Sequence, residues 1–344
     1  ELSGVEITTF AGSTSGFVGG PRQDAKFDSP TGLAKSPSGT IYIADTGNHS
    51  IRAIDPDGTT RTIAGTGAPG FREGQGLQAQ FSSPTAVTVA SDETLYVADS
   101  GNHRIRSISP TGEVSTIAGT GEAMFTDGVA TAARFNTPVG LTLEADDLLY
   151  VADTLNNRIR TLAQDSQGAW TVGTLVEPGS LLAPRQILVG VSGELYVTET
   201  GRHAIQRVDR SGTVRILAGQ PEVPGYLDGA GIEARFNLPR GLGRAPNGHI
   251  LVADSANHAI REIAPDGAVV TLAGTGQPRG SEPSEGSAEL ELPAAVILNG
   301  DGNFLASEPS SGTLRQILST TVVNLLPGTL QGSSAVEISL DLED

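Results

Sequence analysis

The sequence predicts an all-β protein, a closed ring of six four-stranded antiparallel blades, and three observations carry that expectation. A short run ending in an acidic residue recurs at Asp45, Asp99, Asp153, Glu199, Asp254 and Glu308, at spacings of 54, 54, 46, 55 and 54 residues. Seven residues beyond each anchor stand Arg52, Arg106, Arg160, Gln206, Arg261 and Arg315, each preceded by Ile or Leu. The 44 Gly and 20 Pro among 344 residues interrupt long helices and supply turns at regular intervals.

Within one unit the strands follow from the breakers between them. The run after Pro30 is the first strand, Ile41 to Asp45 the second, Ser50 to Ile54 the third and Thr59 to Ala64 the fourth, with Gly, Pro, Asp or Asn in every gap. The second strand is apolar at nearly every position, as in Leu95-Tyr96-Val97-Ala98, which suits a sheet covered on both faces. Six such sheets cover one another only if they are arranged radially, and the expected architecture is therefore a six-bladed β-propeller.

Ring closure is expected from the ends of the chain. Ile7 to Gly12 repeats the ending of a fourth strand without a preceding blade, and Val323 to Gly328 does the same at the other end. One of the two is expected to complete blade six by joining the N- and C-terminal strands. The domain is set at residues 1–328. Residues 329–344, in which Val336, Ile338, Leu340 and Leu342 alternate with polar residues, are read as an extra strand or tail, or as the start of another domain.

Charge and composition narrow the function. Twenty-two basic against 39 acidic residues give a net charge of −17, a field that opposes nucleic acids and anionic lipid surfaces. No run of apolar residues is long enough to span a bilayer. Absence of Cys removes disulfides, thiolate metal sites and a Cys nucleophile. The chain begins Glu1-Leu2 and its one Met is Met124, so it is read as a processed or excised piece, a monomeric domain of a larger protein. With only two Lys against 20 Arg, the expected location is a bacterial periplasm or exterior.

The runs Gly47-Asn48-His49-Ser50-Ile51-Arg52, Gly101-Asn102-His103-Arg104-Ile105-Arg106 and Ala256-Asn257-His258-Ala259-Ile260-Arg261 resemble NHL repeats. So does the stretch from Thr116-Ile117-Ala118-Gly119 through Asp127-Gly128 and Ala133-Arg134-Phe135 to Pro138-Val139-Gly140-Leu141. The resemblance extends over about residues 5 to 328. It departs in blade four, with Arg202 in place of Asn and no long loop, and in blade six, where Pro309 to Thr313 replaces the motif. It implies a ligand-binding or protein-binding module. Related six-bladed propellers include a peptide-amidating lyase and metal-dependent lactonases, so shared fold leaves activity open.

Candidate sites are weighed by whether they repeat. The anchor carboxylate and third-strand Arg recur in nearly every blade and read as a buried structural pair. His49, His103, His203 and His258 occupy one repeated turn, expected about 13 Å from the axis from strand spacing, too far apart to share one metal ion whose nitrogens lie at about 2 Å. The residues after the repeated Pro converge on the channel: Thr31, Thr85, Val139, Arg185, Arg240 and Ala294. Arg185 and Arg240, in adjacent blades, break the pattern and are expected to bind a carboxylate or acidic peptide, with Glu177 or Glu233 as the competing internal partners. Asn136 and Asn237 precede the same Pro residues, and Phe125 and Tyr226 stand in the long loops as a peptide-facing rim or as wedges between blades. Asp28 and Glu291 are weak calcium candidates.

The expected function is a non-catalytic module that binds a peptide, protein segment or small anionic ligand at the channel face and needs no cofactor. A calcium-assisted lactonase, hydrolase or lyase is the alternative. Neither nucleic acid nor membrane insertion is expected. Phosphate-binding loops and nucleophile elbows are absent, and the repeated Gly-Thr-Gly beginning at 65, 119 and 274 is a turn.

Overall fold

The computed structural model describes residues 5–279, 289–300 and 302–319. Six sheets are arranged as expected. Blade one runs outward from the axis through Pro30–Lys35, Ile41–Asp45, Ser50–Ile54 and Thr59–Ala64. Blades two to five repeat this order, starting at Pro84, Pro138, Pro184 and Pro239. Blade six comprises Ala295–Gly300, Asn303–Glu308 and Thr313–Ser319, and its outermost strand is the N-terminal Val5–Ala11, with Ile7 opposite Ile317. The N-terminal strand therefore closes the ring. Val323 to Gly328 and the alternating segment beyond it lie outside the described residues.

The cores sit between blades. Tyr96, Ala98 and Ile105 of blade two pack with Phe135, Leu149 and Val151 of blade three, and an equivalent cluster fills every other junction, including the one between blades six and one. All five residues of Ile41–Asp45 and of Leu95–Asp99 are buried, so the second strand has no solvent-facing side. That is why its sequence does not alternate.

One feature exceeds four strands per blade. Gly20–Pro21, Gly74–Gln75, Gly128–Val129 and Gly229–Ala230, each in the long loop preceding its blade, pair with the outer strands of blades one, two, three and five. A two-residue strand carries no periodicity from which to read it.

Neighbouring blades are tied by the repeated turn. His49, His103, His203 and His258 all adopt left-handed backbone geometry, with φ between 48° and 58°. Each Nδ1 accepts a hydrogen bond from a backbone N–H of the next blade, at Ser83, Thr137, Leu238 and Leu292. Blade three places Asn157 in this role, its Oδ1 accepting from Ala183 N–H at 2.8 Å. An accepting imidazole must be neutral. Burial lowers the pKa of His103, His203 and His258. Their folded form thus binds fewer protons than the unfolded chain, whose histidines titrate near pH ~6.5, and their contribution is complete above that pH and lost as pH falls through the lowered folded values. A His103→Asn/His203→Asn/His258→Asn protein should melt close to wild type at pH 8. At pH 5 it should melt several degrees above wild type, as differential scanning calorimetry across that range would read. A gap that does not widen towards acid would show that these rings carry no pH-dependent tie.

Candidate functional site

The starts of the six inner strands converge at the end of the channel that carries the long loops. Close approach of successive strands is enforced by Gly or Ala in the second position of five of the six blades. A Cβ on Gly32 would lie 2.7 Å from the Cα of Ala86 and the carbonyl oxygen of Thr85. The first-position side chains are consequently pressed together. Thr31, Thr85, Val139, Arg185, Arg240 and Ala294 line one cavity, floored by Leu33, Val87, Leu242 and Val296. The volume open to water centres is about 40 Å³, room for about three waters or a single carboxylate group.

The polar groups in this cavity divide into two kinds. Thr31 Oγ1 donates to the Thr85 carbonyl at 2.9 Å, and Thr85 Oγ1 donates to the Val139 carbonyl at 2.8 Å. These hydroxyls are already engaged in lacing adjacent blades. Neither guanidinium, by contrast, forms an ion pair or side-chain hydrogen bond among the described residues, and Nε of Arg240 is buried without a partner. Glu177, a nearby acid in sequence, pairs with Arg158 at 3.3 Å. Burial, helped by the charge of Arg240, pushes the Arg185 pKa down to about 10. Burial lowers that of Arg240 as well. Both stay protonated at neutral pH, as guanidinium groups do, so two cations face one small cavity with no acidic side chain among the described residues paired to them.

Around this mouth stand the repeated polar sets. Asp99 accepts from Arg106 Nη1 at 3.0 Å, Asn102 Nδ2 at 2.8 Å and the backbone N–H of Ser82 at 2.8 Å, and both Asp99 and Arg106 are fully buried. The same set is built on Asp45, Asp153 and Asp254. Burial pushes Asp45 and Asp254 up to about 6, and the surrounding N–H donors hold them from rising further. They are ionised at neutral pH.

These sets reach outward to the long loops. Arg106 Nη2 donates to the Arg72 carbonyl at 3.1 Å and Asn102 to the Gly70 carbonyl at 2.8 Å. Phe71 covers the Arg106 guanidinium from outside at 4.8 Å, and buried Phe81 lies on its other side at 5.3 Å. The long loops of blades one, two, three and five are thus each clamped to the blade by one buried Arg: Arg52, Arg106, Arg160 and Arg261.

The NHL repeat model matches three segments, residues 27–54, 81–106 and 236–263, each spanning the end of a loop, the inner strands, the turn and the third strand. The chain is an NHL-repeat β-propeller. Human NHL repeat-containing protein 2 is 30% identical over 299 residues, covering 74% of this chain and 41% of that protein. The NHL propeller described here spans less than half the length of the curated relatives it matches. Among solved structures, an auxiliary nutrient binding protein from Bacteroides ovatus superposes with a TM-score of 0.70 at 17% identity, covering 92% of this chain and 77% of that one. A streptogramin B lyase superposes with a TM-score of 0.58 at 13% identity, covering 93% of this chain and all of that one. At these identities the two structures bear on fold alone.

Of the site residues expected from sequence, the NHL propeller brings Arg185, Arg240, Thr31 and Thr85 into one cavity. Asn136 and Asn237 are not among its lining; their backbone N–H groups donate to Asp153 and Asp254. Phe125 stacks on Arg158 at 3.5 Å and Arg160 at 4.6 Å, and Tyr226 lies 5.2 Å from Arg261, so both clamp loops while remaining partly exposed. Asp28 accepts from the Ser29 hydroxyl, and Glu291 lies 3.6 Å from Arg279. Gln186 lines the cavity where Gly or Ala stands in the other blades. Its departure from that column is visible in the sequence, next to Arg185.

Blade four shows why its motif differs. Glu199 accepts from Arg202 at 2.9 Å, from Gln206 at 2.5 Å and from the Leu182 N–H at 2.7 Å. One anion and one cation remain, but the cation has moved from the third strand to the turn. With no long loop over this blade, an Arg at 206 would have no loop carbonyl to receive its second amino group. A neutral, shorter Gln fits instead.

Proposed function

We propose that this propeller is a non-catalytic binding module that captures a carboxylate-bearing ligand, a peptide or a small organic acid, at the channel mouth. The single observation behind this reading is the pair Arg185 and Arg240, both without an anionic partner among the described residues in a chain of net charge −17. Two planar donors around a cavity of carboxylate size favour bidentate contacts. The hydroxyls of Thr31 and Thr85, which already lace the blades, shape the cavity.

Titration with succinate, acetate and phosphate against chloride at matched ionic strength tests the reading. Succinate or acetate should raise Tm and give a saturable calorimetric signal that chloride does not. Absence of any anion-selective response would remove the channel mouth as the site.

The calcium-assisted alternative is weaker. No group of three or more His, Asp or Glu among the described residues is placed to hold a metal ion, and Asp28 and Glu291 lie outside the cavity lining. These residues do not fit a calcium centre at the channel. No helix among the described residues is long and apolar enough to cross a membrane. A bacterial periplasm or exterior remains the proposed location, with which the scarcity of Lys is compatible.

A further inference from the structure

Blade four lacks the cover that a loop strand supplies on blades one, two, three and five. On blades two, three and five the loop strand shields one outer-strand position, so that Val114, Val172 and Val269 are 0%, 1% and 2% exposed. The segment preceding blade four, residues 177–183, is too short to lay such a strand, and none is present. Val214, which faces Val208 as Val114 faces Ile108, is only half-buried, and Ile216 is 43% exposed. The loop also donates a backbone hydrogen bond to the turn below it, from Gly76 N to Gly112 O at 2.8 Å and from Gly231 N to Gly267 O at 2.9 Å. The equivalent carbonyl of Gly212 receives no such bond among the described residues. What remains is an open groove of about 740 Å³ along Val214–Ala218, lined by Arg202, Gln206, Thr213, Val214, Ile216 and Glu222.

Charge on the same edge is equally unusual. Arg207 and Arg215 stand directly opposite one another on the third and outer strands. Neither forms an ion pair among the described residues, and like charges in this relation destabilise a sheet. Residues 177–218 contain five Arg against four carboxylates, a small positive excess in a strongly acidic chain.

We propose that the outer edge of blade four docks an extended segment of a partner protein, added antiparallel to Val214–Ala218 and alternating apolar with acidic side chains. Strand addition is argued from the four blades on which the chain fills the equivalent place with its own backbone. On an extended strand Val214 and Ile216 share one face and Arg215 takes the other, so a guest of period two places apolar groups on the first pair and carboxylates at Arg215 and Arg207. This site is separate from the channel mouth and does not depend on it.

The test uses the full chain and a labelled synthetic peptide of sequence SSAVEISLDLED, which alternates apolar with polar, mostly acidic, residues and is identical to residues 333–344. Fluorescence anisotropy should show saturable binding that weakens between 50 and 300 mM salt, on the order of tenfold for the few charges involved. A scrambled peptide without the alternation should not bind. Hydrogen exchange at 213–218 should be fast in the free chain and slow on peptide addition. Ile216→Asp and Arg207→Glu/Arg215→Glu, both surface changes, should each weaken binding at least tenfold with Tm retained, while Arg185→Ala/Arg240→Ala leaves it unchanged. No binding, equal binding of the scrambled peptide, indifference to the edge variants, or slow exchange at 213–218 in the free chain would each overturn the proposal.

Discussion

An Arg185→Ala/Arg240→Ala protein is expected to melt higher than wild type while losing its response to succinate. The two effects have one cause. A half-buried guanidinium held in a narrow cavity without an anion has lost part of its hydration and gained nothing in return, and a second like charge beside it adds repulsion. Burial accordingly depresses both pKa values, with the charge of Arg240 a further cause at Arg185. Removing both side chains relieves that cost and should raise Tm by a few degrees. It also removes the donors that would grip a carboxylate, a loss of about 2–5 kcal/mol when the partner charge is left buried and unpaired. Succinate affinity should thus fall on the order of a hundredfold. Each single variant should retain part of both effects. A double variant that melts lower than wild type, with its succinate response intact, would make the pair structural and sink the binding reading.

The fold was legible because blades repeat. Six acidic anchors at near-equal spacing and a third-strand Arg or Gln seven residues later specify both the number of blades and the inner strand boundaries. Closure was legible only as a choice between two terminal strands, since Ile7 to Gly12 and Val323 to Gly328 present the same local pattern and only contact with Thr313–Ser319 distinguishes them. The two-residue strands of the long loops were not legible, because backbone pairing at Gly74–Gln75 needs no particular side chain.

The candidate site divides along similar lines. Arg185 and Arg240 stand out as departures from a column of small residues, but their lack of a partner is a three-dimensional fact: Glu177 is close in sequence and turns to Arg158. The role of the repeated His was hidden for the same reason, since its partner lies 34 or 35 residues away in the next blade. Phe125 and Tyr226, positioned equally well by sequence for a rim or a wedge, cover the buried Arg of their own blades and stay partly exposed.

Arg106→Ala should be the most destabilising single change in blade two, and its repair tests how blade four dispenses with a loop. Truncation leaves the Asp99 carboxylate buried without its cation and takes the side-chain donor from the carbonyls of Gln80 and Arg72, which keep only the backbone hydrogen bonds they exchange with each other, for a loss of about 3–5 kcal/mol. The Phe71 ring also loses the guanidinium beneath it. Chemical denaturation would read the stability loss, and limited proteolysis would read faster cleavage within 66–80. Gln206→Ala in blade four should cost less, about 1–3 kcal/mol, because Arg202 still neutralises Glu199. Grafting the blade-four set into blade two, as Asp99→Glu/Asn102→Arg/Arg106→Gln, preserves one anion and one cation while removing both side chains that reach the loop. The graft should recover most of the stability lost in Arg106→Ala, yet keep its rapid cleavage at 66–80, since the carbonyls of Gly70 and Arg72 regain no side-chain donor. A graft no more stable than Arg106→Ala would mean that the blade-four set depends on its own surroundings. A graft whose loop resists proteolysis would mean that something other than the Arg and Asn clamps it.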